Sequence, residues 1–283
     1  MKKIMMLFIL AFIFNNPGFS QDPENSIYNV PDKDKLYSVS VWRRVFMDEK
    51  QNQAFFSRNR EISRVLIDAV RDGLLIPYQS DSLTRRLTKE EFEDRLIIKT
   101  GVDEDAWGGD SWEENSGKEN GGGEQQNNSD PWATDTWGGA EAAAPTAFDR
   151  DPSEINILEI KEEVFFDKIR SRMYNAIDAL TLYYLDQNTG IREPVASFDY
   201  KEAEKVFRAN PDKAVWYNRQ NPGQNRNMAD AFLLRMFHGM IVKISNPKNL
   251  TLREQVPDPQ LALYLSMENE YKLAEYESDL WEY

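Results

Sequence analysis

Apolar positions change their period several times along the chain. The first pattern is an unbroken run from Ile4 to Phe14, preceded by Lys2 and Lys3 and broken by Asn15 to Gly18. Such a run suits the h-region of a secretory leader and is too short to span a bilayer as a helix. Gly18 and Ser20 supply small residues for a cut before Gln21, so residues 1–20 are expected to be a signal peptide. Helical spacing comes next, at Ile62, Val65, Leu66, Ala69 and Val70, with Asn59 as candidate cap and Gly73 and Pro77 as the stop. Thr88-Lys-Glu-Glu91 has the form of a capping box ahead of Phe92, Leu96 and Ile97. Between these helices Tyr78 to Leu87 is a polar connection, and upstream Leu36 to Lys50 has mixed spacing that leaves strand or helix open.

Beyond residue 151 the pattern shortens to that of strands. Ile155 to Ile160 predicts one strand and Met173 to Leu185 a second, and Asp186-Gln-Asn-Thr-Gly190 is a turn signal before a third at Ile191 to Val195. Asp199 is placed to cap a helix over Tyr200–Arg208, and a further helix is expected over Met228–Phe237. Asp258 and Pro259 open a terminal helix in which Leu261, Leu265, Leu273, Leu280 and Trp281 contrast with an acidic set of Glu268, Glu270, Glu275 and Glu277. These elements predict an α+β fold, a small mixed antiparallel sheet with several helices.

Residues 101–150 fit neither period. They hold nine of the fourteen glycines, a strong excess of acids and almost no Leu, Ile or Val, so they cannot bury enough apolar surface to offset their ordering entropy. The expected organisation is therefore a leader (1–20), the N-terminal part of a folded domain (21–100), a disordered acidic insert (101–150) and the C-terminal part of the same domain (151–283). Within the insert, Asp-x-Trp-x-x-Asp-x-Trp occurs twice and carries Trp107, Trp112, Trp132 and Trp137. Four indoles on an acidic tether can serve as a docking strip, since aromatic anchors dominate binding energy; duplicated low-complexity sequence without a partner is the alternative. The carboxylates lack the ligand spacing of a calcium loop.

Composition then narrows the chemistry. A formal net charge of −14 disfavours nucleic acid as a partner, and the absence of cysteine removes thiol nucleophiles, Cys-ligated metals and disulfides. The single histidine, His238, sits at an expected helix end and is more simply structural than a general base. Glu90 with Glu91, and Glu162 with Glu163, read as a cap and a solvated face rather than a hydrolase dyad. Gly121-Gly-Gly123 lies in acidic surroundings and reads as spacer, not a phosphate loop. No cofactor, no metal and no catalytic residue is expected. Arg43, Arg44 and Lys50 form the densest cationic cluster next to Trp42, and two roles are open to them: docking onto an acidic partner or pairing with acids of the same chain.

Three blocks carry a resemblance to a known family. Val41-Trp42-Arg43-Arg44, with Asp48-Glu49-Lys50-Gln51-Asn52 and Phe55-Phe56, is similar to the opening signature of the gliding-motility GldN (PorN) family. Ile160-Lys-Glu-Glu-Val-Phe-Phe-Asp-Lys168 with Arg170-Ser171, and Tyr276-Glu-Ser-Asp-Leu-Trp-Glu-Tyr283, resemble its second and closing blocks. The resemblance implies a non-enzymatic periplasmic subunit of the type IX secretion machinery. It further implies a multimeric ring with a GldK/PorK-like outer-membrane lipoprotein, contact with a GldM/PorM-like motor-linked protein, and no membrane span of its own after leader cleavage. A free-standing exported binding protein or chaperone, and an exported carboxylate hydrolase, are the other classes kept open.

Overall fold

A computed structural model describes residues 30–98, 148–186 and 189–281. The segment left open between strand and helix is a strand, β1 (Lys35–Phe46), because Tyr37, Val39 and Val41 alternate with Ser38, Ser40 and Trp42 across its two faces. After the insert come β2 (Ile157–Asp167), β3 (Arg172–Leu185), β4 (Arg192–Asp199) and β5 (Met240–Ile244). All pairings are antiparallel, in the order β5-β1-β2-β3-β4. The α+β expectation therefore holds. The strand that precedes the insert lies inside the sheet, paired along its whole length with the strand that follows it, from Lys35 opposite Asp167 to Phe46 opposite Ile157.

Local signals account for most boundaries. The β3–β4 hairpin closes where Gly190, at φ +67, donates its N–H to the Asp186 carbonyl. Helix α1 (Ile62–Arg71) ends on Gly73 at φ +73, whose successor Leu74 donates to the Ala69 carbonyl. Its start corrects the expectation. Glu61, not Asn59, is the N-cap residue, and Asn59 itself is left-handed at φ 62, with its N–H donating to the Glu61 carboxylate. The box at Thr88–Glu91 forms reciprocally ahead of α2 (Lys89–Leu96). Asp199 caps α3 (Tyr200–Ala209) by accepting from the Lys201 N–H.

Three expected lengths were wrong, beginning with the third strand, read as Ile191 to Val195, which runs on as β4 to Asp199. The strand read as ending at Ile160 runs on to Asp167, because its polar residues are paired with partners far away in sequence. The helix read through Phe237 is α4 (Met228–Leu233), closed by Arg235 at φ 52 with the Met236 N–H on the Ala231 carbonyl. That geometry normally selects glycine, and a sequence with Arg at the position carries no stop signal. A short α5 (Leu252–Gln255) with a Thr251–Glu254 capping box leads to α6 (Pro259–Trp281), whose Gln260 N–H donates to Asp258 as expected.

The core gathers in two places. One is aromatic, with Phe232 at its centre and the rings of Phe55, Tyr200 and Phe207 at 5.0, 5.9 and 6.0 Å. The other lies between the sheet and α6, where Val41, Val164, Ile241 and Leu252 pack with Val39 and Leu273, and the rings of Tyr37 and Tyr276 meet at 4.4 Å. The free edge of β4 is covered at Ser197, which exchanges both backbone hydrogen bonds with Tyr78. By itself, the 93–150 part pairs Ile97–Ile98 with Phe148–Asp149 and closes with the Arg150 N–H on the Leu96 carbonyl. Among the described residues no helix is long and apolar enough to cross a membrane.

Candidate interaction site

Strand alternation separates the three residues Trp42-Arg43-Arg44, placing Trp42 and Arg44 on one face and Arg43 on the other. Trp42 is only 8% exposed. Its cross-strand neighbours are Lys161 on β2 and Lys243 on β5, whose ammonium groups lie 5.7 and 4.0 Å from the indole ring. The indole Nε1 donates to Asp81 at 2.8 Å, and Lys161 donates to the Asp81 carbonyl at 3.2 Å. A buried indole with its N–H satisfied and a cation on either side of the ring is a fixed part of the sheet.

On the opposite face Arg43 holds a charge network together. Its Nε donates to Glu162, and its two η nitrogens donate to Glu270 on α6. Glu162 is fully buried and also accepts both η nitrogens of Arg235, at 2.6 and 3.2 Å. The sequence reading of Glu162 as part of a solvated face is therefore overturned; its neighbour Glu163, one step along the strand, is the partly exposed member and takes Lys35. Burial opposes the charge on Arg43, yet Glu270 and Glu162 outweigh it and hold the guanidinium above its ordinary pKa. Two carboxylates and two guanidiniums balance, which is the condition under which buried charge is tolerated.

Arg44 donates to Glu159 at 2.6 Å and lies over the Tyr183 ring, while its Nε is buried without a partner. Lys50 is exposed in the turn after β1. Trp107, Trp112, Trp132 and Trp137 lie outside the described residues. The two arginines thus take up internal carboxylates, one of the two roles open to them from sequence. The same block contributes Asn52, fully buried, whose side-chain amide donates to the His238 carbonyl and accepts from its N–H. This exchange ties the turn after β1 to the segment entering β5. Gly239 follows, and a Cβ there would lie 2.8 Å from Val45 Cγ2 and 3.1 Å from the Arg44 carbonyl, so only glycine fits.

Sequence reasoning did not find Asp81, Arg235 or the inward role of Glu270. No motif marks them, because each acquires its partner only when distant segments pack. Above the network, Arg43, Arg235, Phe237, His238, Met267 and Glu270 line a recess of about 450 Å³. Helix α6 also leaves large apolar residues exposed, Leu263, Tyr264, Met267 and Tyr271, the first and third of them at the mouth of this recess. Among the described residues no group of three or more His, Asp or Glu is arranged to hold a metal ion. The arrangement can bind and anchor, and its charges are committed to structure.

The model of the family described as gliding motility associated protein GldN matches residues 30–282. No curated protein matches the chain.

Proposed function

The chain belongs to the GldN family, whose members are non-catalytic components of the type IX secretion and gliding-motility system, and we propose that it acts there as a periplasmic structural subunit. In this reading residues 1–20 are a leader removed on export. The mature protein assembles into a multimeric ring with an outer-membrane lipoprotein of the GldK/PorK kind and contacts a motor-linked protein of the GldM/PorM kind. The observation that carries the reading is the family match from residue 30 to 282, which includes both Trp42-Arg43-Arg44 and the terminal helix. The exposed apolar residues Leu263, Tyr264, Met267 and Tyr271 support it, since contiguous apolar surface on a soluble subunit marks a protein contact. The acidic Asp-x-Trp insert supplies a second candidate contact.

Co-expression with the lipoprotein tests it. The expected result is co-purification as one large species, with an intact mass for this chain that starts at Gln21. A chain that stays monomeric and elutes apart from the lipoprotein overturns the ring reading, and a mass retaining residues 1–20 overturns the leader.

A further inference from the structure

Where the end of β1 and the starts of β4 and β5 meet the first turns of α6, a recess of about 240 Å³ opens that the charge network does not use. Arg44, Arg192 and Arg253 line it, together with apolar walls that include Phe46, Ile241 and Leu263. The Arg192 guanidinium lies over the Phe46 ring at 5.8 Å. Three arginines here face one partner. Glu159 takes an η nitrogen of Arg44, the Arg44 Nε is orphaned, and among the described residues neither Arg192 nor Arg253 is in an ion pair. Burial, and then Arg44 and Arg253 themselves, hold Arg192 below its ordinary pKa, as expected for cations gathered without enough counter-charge. Such a gathering is costly to keep unless it is used, and it is placed in a chain whose formal charge is −14.

The chemistry that fits is a carboxylate beside an aromatic ring. Arginine forks take carboxylates bidentately, and the apolar walls suit an indole. In an extended peptide, residues two apart present their side chains on the same side, so Asp-x-Trp offers both groups together. This chain carries that pattern at Asp105-Ala-Trp107, Asp110-Ser-Trp112, Asp130-Pro-Trp132 and Asp135-Thr-Trp137. We propose that the three-arginine recess receives an Asp-x-Trp segment from a second copy of this chain, with its carboxylate on Arg192 and Arg253 and its indole against Phe46 and Leu263. A contact of this kind joins two different surfaces, so each copy can give a segment to one neighbour and accept one from another. It deepens the assembly reading above and rests on that reading for its biological setting, but it is tested separately.

The full chain carrying photoreactive benzoylphenylalanine in place of the exposed Leu263 is mixed with tagged unsubstituted chain and irradiated. The expected product is a covalent dimer whose junction peptide lies within residues 101–150 of the tagged copy. Its yield should fall at least about five-fold with Arg192→Gln and Arg253→Gln in the photoreactive chain, at an unchanged melting temperature. An excess of synthetic peptide covering residues 128–139 should suppress the dimer, and the same peptide with Trp132→Ala and Trp137→Ala should not. A junction elsewhere, a cross-link only within one chain, a yield indifferent to the two Gln substitutions, or equal competition by both peptides overturns the proposal. Co-purification with the lipoprotein in the absence of this cross-link removes the recess contact and leaves the ring reading standing; the cross-link without co-purification does the reverse.

Discussion

Arg43 and Glu270, 227 positions apart in the chain, meet through both η nitrogens of the arginine, and this pair joins the second strand of the sheet order to the terminal helix. Because Arg43 also serves the fully buried Glu162, the pair is the outer half of a network whose inner carboxylate has no access to water. Arg43→Gln leaves Glu162 with Arg235 alone. The expected cost is about 3–5 kcal/mol, the usual result of removing one member of a buried ionic set. For a domain of this size that lowers the melting temperature by about 10 °C, at roughly 2–4 °C per kcal/mol. Glu270→Gln should cost only about 1 kcal/mol, since its side chain is 41% exposed and solvent screens it. Chemical denaturation of the two variants checks the ranking, and equal costs would refute the division into inner and outer halves.

Trp42→Phe isolates the indole hydrogen bond. It keeps most of the ring between Lys161 and Lys243 and removes only the donor to Asp81. The expected loss is about 1 kcal/mol, against about 3–5 kcal/mol for Trp42→Ala, which also opens a cavity. Denaturant midpoints at constant slope measure both.

Glycine is required at 239 for contact and at 190 for backbone angle, and the two demands should differ in size. Gly239→Ala drives a Cβ to 2.8 Å from Val45 and against the Arg44 carbonyl, so about 1–3 kcal/mol is expected from overpacking. Gly190→Ala meets nothing within 4 Å and bears only the strain of φ +67, about 1 kcal/mol. Thermal melts of both variants against wild type check the order.

Acid should weaken the start of α1 through Glu61. Burial would raise its pKa, but hydrogen bonds from Arg64 and from the backbone N–H of Asn59 outweigh burial and hold it below the ordinary 4.5. A carboxylate with a depressed folded-state pKa contributes stability that is complete above its unfolded value and is lost as pH falls through the folded one. The stability gap between wild type and Glu61→Gln should therefore be constant above about pH 5.5 and shrink as pH falls below 4.5. A gap that does not change across that window would show that Glu61 gains nothing from its charge.

Replacing residues 101–147 by a brief Gly/Ser loop should leave the melting temperature within a few degrees. The β1–β2 pairing on which the sheet depends involves none of them, and loop-closure entropy changes by only about 0.6 kcal/mol per doubling of length. A large drop would show that the stretch contributes to the folded core.

What could be read before folding was local. The Thr88–Glu91 box, the caps at Asp199 and Asp258 and the Asp186–Gly190 turn each depend on residues within a few positions of one another, and each forms as read. The strand β1 was ambiguous because Arg43 and Arg44 interrupt its apolar alternation, and what allows charge there is Glu162, Glu270 and Glu159, all more than a hundred positions away. The terminal helix misled in a related way. Its acids look like a single solvated set, yet Glu270 turns inward to Arg43 while Leu261, Tyr264 and Tyr271 remain exposed, because α6 carries more apolar residues than it can bury.

The position of β1 in the sheet sets a rule for how the protein can fold. Its two flanks are completed by residues 157–167 and 240–244, so the earliest strand of the chain waits for nearly the last. Few of its contacts are local, and high sequence separation slows folding because ordering entropy is lost before any pairing compensates it. A chain cut off before Met240 would carry β1 with one side of its backbone hydrogen bonds unfilled, an open template for pairing with another molecule. Four strands can pair once Asp199 has been made, but the β1 edge stays open until residues 240–244 follow, so a factor that guards against aggregation has to act on that edge while the chain is still incomplete.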